Sequence, residues 1–107
     1  MTALKITVQK KSDELTLLKL KGEFEGLSAL GQKGEFLSAV QNHAAGNLFL
    51  DLAEIDYIDS TAIGILLEMA AKAAERNIRF GIVHANNNIR KVLSVTKIDK
   101  TLTVLDS

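Results

Sequence analysis

Asn47–Leu52 reads NLFLDL, a short apolar run broken only by Asp51. A strand looks like this when both of its faces are covered, which places it at the centre of a parallel sheet. Soon after it, Ser60–Arg76 is rich in Ala, Leu, Met and Glu and free of proline, the composition of a long helix, with Asn77 a suitable stop. Ile78–His84, IRFGIVH, then supplies another strand. Strand, long helix and strand in succession require a crossover of one hand, and so predict an α/β protein with helices packed on a mostly parallel sheet.

The rest of the chain extends that pattern. Lys5 to Gln9 alternates apolar and polar residues, as Leu15 to Leu20 does less cleanly, and KKSDE between them signals a turn, so an N-terminal hairpin is expected. After the EFEG loop, Ser28 is the expected N-cap of a helix whose apolar positions are Leu30, Leu37, Val40 and Ala44, ended by Gly46. Residues 85–97, ANNNIRKVLSVTK, read as a further capped helix with Ile89, Val92 and Leu93 inward, and residues 102–106, LTVLD, as a final short strand. No linker, repeat or low-complexity tract divides the 107 residues, and a single domain over 1–107 is expected.

Composition removes several function classes. There is no cysteine, so disulfides, thiolate metal ligands and a cysteine nucleophile are excluded. The N-terminal MTALKITVQKK has no apolar stretch of signal-peptide length, and nothing approaches the ~20 apolar residues of a membrane span. A soluble, cytoplasmic protein without direct membrane insertion is the expectation. Thirteen basic residues balance thirteen acidic ones, which argues against nucleic acid as a partner. The local basic excess of Arg79, Arg90, Lys91 and Lys97 over Asp99 reads as a solvated face.

Chemistry concentrates where the central strand's loop meets the long helix. Glu54, Asp56 and Asp59 lead up to two hydroxyls, Ser60 and Thr61, after which the chain turns apolar. The first N–H groups of a helix lack internal partners, and Asp59, Ser60 or Thr61 would each serve as the cap that accepts from them. The same N–H groups and the positive end of the helix dipole can also receive a phosphate, and a cap and a phosphorylation switch are compatible roles.

IDSTAIGILL, Ile58–Leu67, resembles the D-S-S-G-L-G-x-L-L signature of STAS domains, and specifically of bacterial anti-sigma factor antagonists. NNIRKVLSVTKIDK resembles the later helix and short strand of that family, and LKLKGEFEG is similar to the G-E-L-D segment after its second strand. The resemblance runs from about Leu4 to Asp106. It implies the STAS fold: a mostly parallel central β-sheet with an N-terminal hairpin and helices packed on it. It also implies that Ser60 is the phosphorylated residue, preceded by the family's aspartate at Asp59. Glu23, Phe24, Glu25, Asp59, Ser60, Thr61 and Ile63 are then the expected partner-binding residues. The chain differs from the pattern at Ala62, where glycine is usual, and at Glu25, where aspartate is usual. The closing helix common in the family is expected to be minimal.

The partners so implied are an anti-sigma factor that is itself a serine protein kinase, and a serine phosphatase; a monomer with no cofactor is expected. An alternative from the wider superfamily is a STAS subunit that docks on a membrane transport ATPase without phosphorylation. A third is a small-molecule sensor using an acidic pocket, since Asp51, Glu54, Asp56 and Asp59 together would suit magnesium. Solvated loop carboxylates are the simpler reading of that set. His43 and His84 fall on different elements, and DSTAIG is not the G-x-S-x-G of a nucleophile elbow. No glycine-rich phosphate loop is present either, so no catalytic residues, no metal site and no enzymatic activity are expected.

Overall fold

The computed structural model describes residues 3–44 and 46–105. β1 (Lys5–Ser12) and β2 (Leu15–Lys21) form the expected antiparallel hairpin, turned at Asp13 and Glu14, with a register irregularity between Lys10 and Ser12. β3 (Asn47–Glu54), β4 (Arg79–Val83) and β5 (Thr103–Val104) add in parallel, giving one mixed sheet in the order β1-β2-β3-β4-β5. α1 (Gly26–Gly31) and α2 (Lys33–Asn42) connect β2 to β3, α3 (Ser60–Glu75) connects β3 to β4, and α4 (Asn87–Val95) with a 3₁₀ turn (Ile98–Lys100) leads to β5. This is the α/β architecture that the patterns predicted. Asp106, expected in the last strand, lies outside the described residues.

The first helical segment departs from expectation in several ways. It begins at Gly26 with Glu25 at the N-cap position and no side-chain cap bond, so Ser28 lies inside the helix and does not start it. It also breaks at Gln32 (φ −103°, ψ 3°) into two helices. Gly31 and Gly34 flank that break, and glycine costs about 1 kcal/mol in a helix relative to alanine, so a continuous helix is poorly supported there. The break re-aims the apolar residues: Phe36 and Val40 are fully buried, whereas Leu30, expected inward, is 53% exposed. α2 stops at Asn42, leaving Ala44 outside it, and Gly46 (φ +85°) turns the chain into β3 rather than ending the helix. In α4, by contrast, Ile89 and Leu93 are buried and Val92 packs against the core as expected.

Strand order fixes where the core sits. Each parallel crossover steps to the next strand on the same side, and connections of one hand then place every helix on one face of the sheet. The core agrees. Leu18, Leu20, Leu48, Leu50, Leu52, Phe80 and Ile82 point to that face and join Phe36, Val40, Leu66, Met69 and Leu93 in one buried cluster. Phe49 and Val83 have the opposite parity and lie outside it, although both are buried. Both faces of β3 are covered, as its apolar run implied, but helices cover only one of them. Phe49 is shielded by its strand neighbours Leu17 and Gly81 and by the Arg79 guanidinium, 5.8 Å from its ring centroid.

Candidate functional site

The loop from β3 to α3 is held by alternation. Ile55 and Ile58 are buried while Asp56 and Tyr57 between them are exposed, so the loop is pinned through its isoleucines and shows its polar side to solvent. Phe24, in the segment after β2, makes an isolated parallel bridge to Ile58 and draws the Gly22–Gly26 segment against this loop. On the other side Asn86 clamps it. Its Oδ1 caps α4 by accepting from the Ile89 N–H at 2.8 Å, while its Nδ2 donates to the Asp56 carbonyl at 2.8 Å. The sequence identified a capped helix here but carried no signal for that second bond.

Of the three residues able to cap α3, Asp59 does so: its Oδ1 accepts from the Ala62 N–H at 3.1 Å. The same carboxylate's Oδ2 accepts from the Gly26 N–H at 2.9 Å, tying the helix start to the α1 start across the chain. Ser60 is left as the first helical residue, exposed, with its hydroxyl outside the capping bonds. Its own N–H and that of Thr61 belong to the first turn, where no intrahelical acceptor exists.

The structure brings Glu25, Asp59, Ser60 and Thr61 together at one end of the sheet, with Glu23 close by on the same segment. Glu23, Glu25, Asp59, Thr61 and Ile63 are partly exposed. Phe24 is different. Its side chain is fully buried and its ring packs on Phe36, centroids 5.4 Å apart, so it anchors the segment from inside and presents no surface. Ala62 is also fully buried, so its methyl group faces the core and not the site's surface. Burial, followed by the nearby negative charges of Glu23 and Asp59, raises the pKa of Glu25 above the usual carboxylate value.

The other candidates stay apart. Asp51 is buried, with Oδ1 accepting from the Ala53 N–H at 3.0 Å, while Glu54 and Asp56 are exposed. Among the described residues no three His, Asp or Glu side chains are grouped to hold a metal ion. His43 follows the end of α2 and His84 follows β4 (φ 61°). No described helix is long and apolar enough to cross a membrane.

A family model described as "Mlab, STAS domain" matches residues 6–106. A Thermotoga maritima protein named an anti-sigma factor antagonist is 26% identical over 66 residues, 62% of this chain and 58% of that protein. The chain thus spans little more than half the length of that curated relative. Among solved structures, an anti-sigma factor antagonist from Mycobacterium paratuberculosis superposes with a TM-score of 0.83 at 20% identity, covering 98% of this chain and 87% of that one. The Bacillus cell fate determinant SpoIIAA in its phosphorylated form gives 0.71 at 14% identity, covering 96% and 93%. The likeness of these structures is one of fold. The family match spans nearly the whole sequence, and the chain belongs to the STAS-domain family.

Proposed function

We propose that this STAS chain is a phosphorylation-gated binding module of the anti-sigma factor antagonist type. In its unphosphorylated form it is held by an anti-sigma factor that is also a serine kinase; phosphorylation of Ser60 releases it, and a serine phosphatase resets it. Glu23, Glu25, Asp59, Thr61 and Ile63 form the contact surface around the serine, with Phe24 holding that surface from beneath. The observation that carries this reading is the exposed Ser60 hydroxyl at the head of α3, left free because Asp59 performs the capping.

Magnitudes favour a switch in affinity over a switch in fold. A phosphate on Ser60 adds about −1.5 to −2 charges at neutral pH. The helix N-terminus returns roughly 0.3–1 kcal/mol of the anion's cost, and the nearby Asp59 and Glu25 carboxylates oppose it. Against a partner surface, truncating or mismatching a buried charged contact costs about 2–5 kcal/mol, and each ~1.4 kcal/mol is tenfold in affinity. The test is intact-mass and peptide mapping of the chain after incubation with ATP and the serine kinase of the anti-sigma type from its own host. A single phosphate on Ser60 is expected; an unmodified chain, or a phosphate elsewhere, would overturn the reading.

A further inference from the structure

The helix-free face of the sheet differs from the Ser60 end in chemistry. By strand alternation it carries Lys5, Thr7 and Gln9 of β1 beside Lys21 and Lys19 of β2, and these residues, with Glu54 opposite Lys21, line a shallow recess of about 160 Å³. None of the three lysines is ion-paired to a described residue. The chain as a whole has zero net charge, so the three lysines against Glu54 are a local positive surplus. Next to the recess runs the outer edge of β1, eight residues long and first in the sheet order, paired on its inner side only among the described residues.

We propose that this edge and its lysines form a docking site for an extended acidic segment of a partner protein, added to the sheet as a further strand. Only an extended peptide completes a row of unpaired backbone N–H and C=O groups, and alternate acidic side chains on such a strand would lie beside Lys5 and share the face of Lys19 and Lys21 one strand further in. A second copy of this chain is a poor occupant. β1 carries Lys5, Lys10 and Lys11 and no acidic residue, so pairing it with itself sets like charges face to face. A membrane or a nucleic acid is ill suited too: on this face Phe49 and Val83 are 3% and 7% exposed and Leu15 and Leu17 only partly so, which leaves no protruding apolar wedge for lipid and no exposed aromatic platform for bases. This surface is distinct from the Ser60 site and its assignment does not rest on that reading.

Amide NMR of the full chain, titrated with an alternating Glu-Val peptide long enough to span β1, tests it. Shifts confined to β1 and to Lys19 and Lys21 are expected, with no response to a Lys-Val peptide. Lys5→Glu with Lys21→Glu should weaken binding about tenfold, while Ser60→Asp leaves it unchanged. Salt near 1 M, where screening falls to ~3 Å, should weaken it in the unmodified chain, a check independent of whether the double variant folds. The proposal is overturned by silence of β1, by equal response to both peptides or indifference to salt. It is equally overturned by shifts centred on Ser60, by binding to phosphatidylglycerol vesicles in place of the peptide, or by β1 shifts that follow the protein's own concentration.

Discussion

Asp59 holds two chain segments with one carboxylate, and its removal should be felt at both. Asp59→Ala takes away an N-cap, worth about 1 kcal/mol, and leaves the Gly26 N–H without its acceptor, worth roughly 1–3 kcal/mol more. Urea unfolding should register a loss of about 2–4 kcal/mol by that arithmetic; a loss below that of an ordinary cap would show that the Gly26 bond contributes nothing. Glu25 makes a pH prediction. Its pKa is raised in the folded state, so its protonated form is favoured there, and its contribution to stability is present below the unfolded value of 4.5 and lost as pH rises through the folded one. Glu25→Gln should therefore be more stable than the unmodified chain at neutral pH, with the gap closing as pH falls below 4.5. A gap that persists in acid would contradict this. At this scale the sequence was legible as to which residues gather, and not as to which one caps. Asp59, Ser60 and Thr61 are all competent caps, and only the position of Gly26, 33 residues away in the chain, selects the carboxylate that can serve both N–H groups.

Helices and strands were easiest to read where local pattern and tertiary demand agree. α3 and α4 carry their own caps, Asp59 and Asn86, and fall within a residue or two of their expected bounds. The α1–α2 break was hidden because Leu30, Leu37 and Val40 keep helical spacing across it; what matters is two glycines in four positions, a weaker signal than periodicity. An unforeseen contact supports the second half: Arg76, at the C-cap of α3, donates to the Val40 carbonyl and, at 2.6 Å, to the Gln41 carbonyl at the end of α2. A guanidinium there gives the Val40 carbonyl a second donor beside the His43 N–H, serves the Gln41 carbonyl, and suits the negative end of the dipole. Arg76→Ala should lower stability by about 1.5–3 kcal/mol and Arg76→Lys by less, read by thermal unfolding; no change in either would show the contact to be idle. Gly81 gives a second element-scale test. A Cβ there would lie 2.6 Å from the Phe49 ring and closer still to the Thr103 carbonyl, so Gly81→Ala must push β5 away or unseat Phe49. Overpacking of this kind costs about 1–3 kcal/mol, and hydrogen exchange at Val104 and Leu105 should rise with it.

For the whole molecule, alternation of strands and helices was enough to identify a mostly parallel sheet, but its one-sidedness was not visible. That property follows from the strand order 1-2-3-4-5, and NLFLDL looks two-faced because Phe49 is covered by Leu17, Gly81 and Arg79 in place of a helix. The consequence for function is separation: the core lies under one face, and the Ser60 surface sits at the end of the strands, supported by buried Phe24, Ile58 and Ala62 beneath it. A charge added at Ser60 should then leave global stability within about 0.5 kcal/mol, as for other surface substitutions. The most direct test of the account is calorimetric titration of the unmodified, Ser60→Ala and Ser60→Asp chains against the anti-sigma kinase of the host, with thermal unfolding of all three alongside. The account predicts equal melting, Ser60→Ala binding like the unmodified chain, and Ser60→Asp binding at least about tenfold more weakly. Equal affinity of the two variants would contradict it.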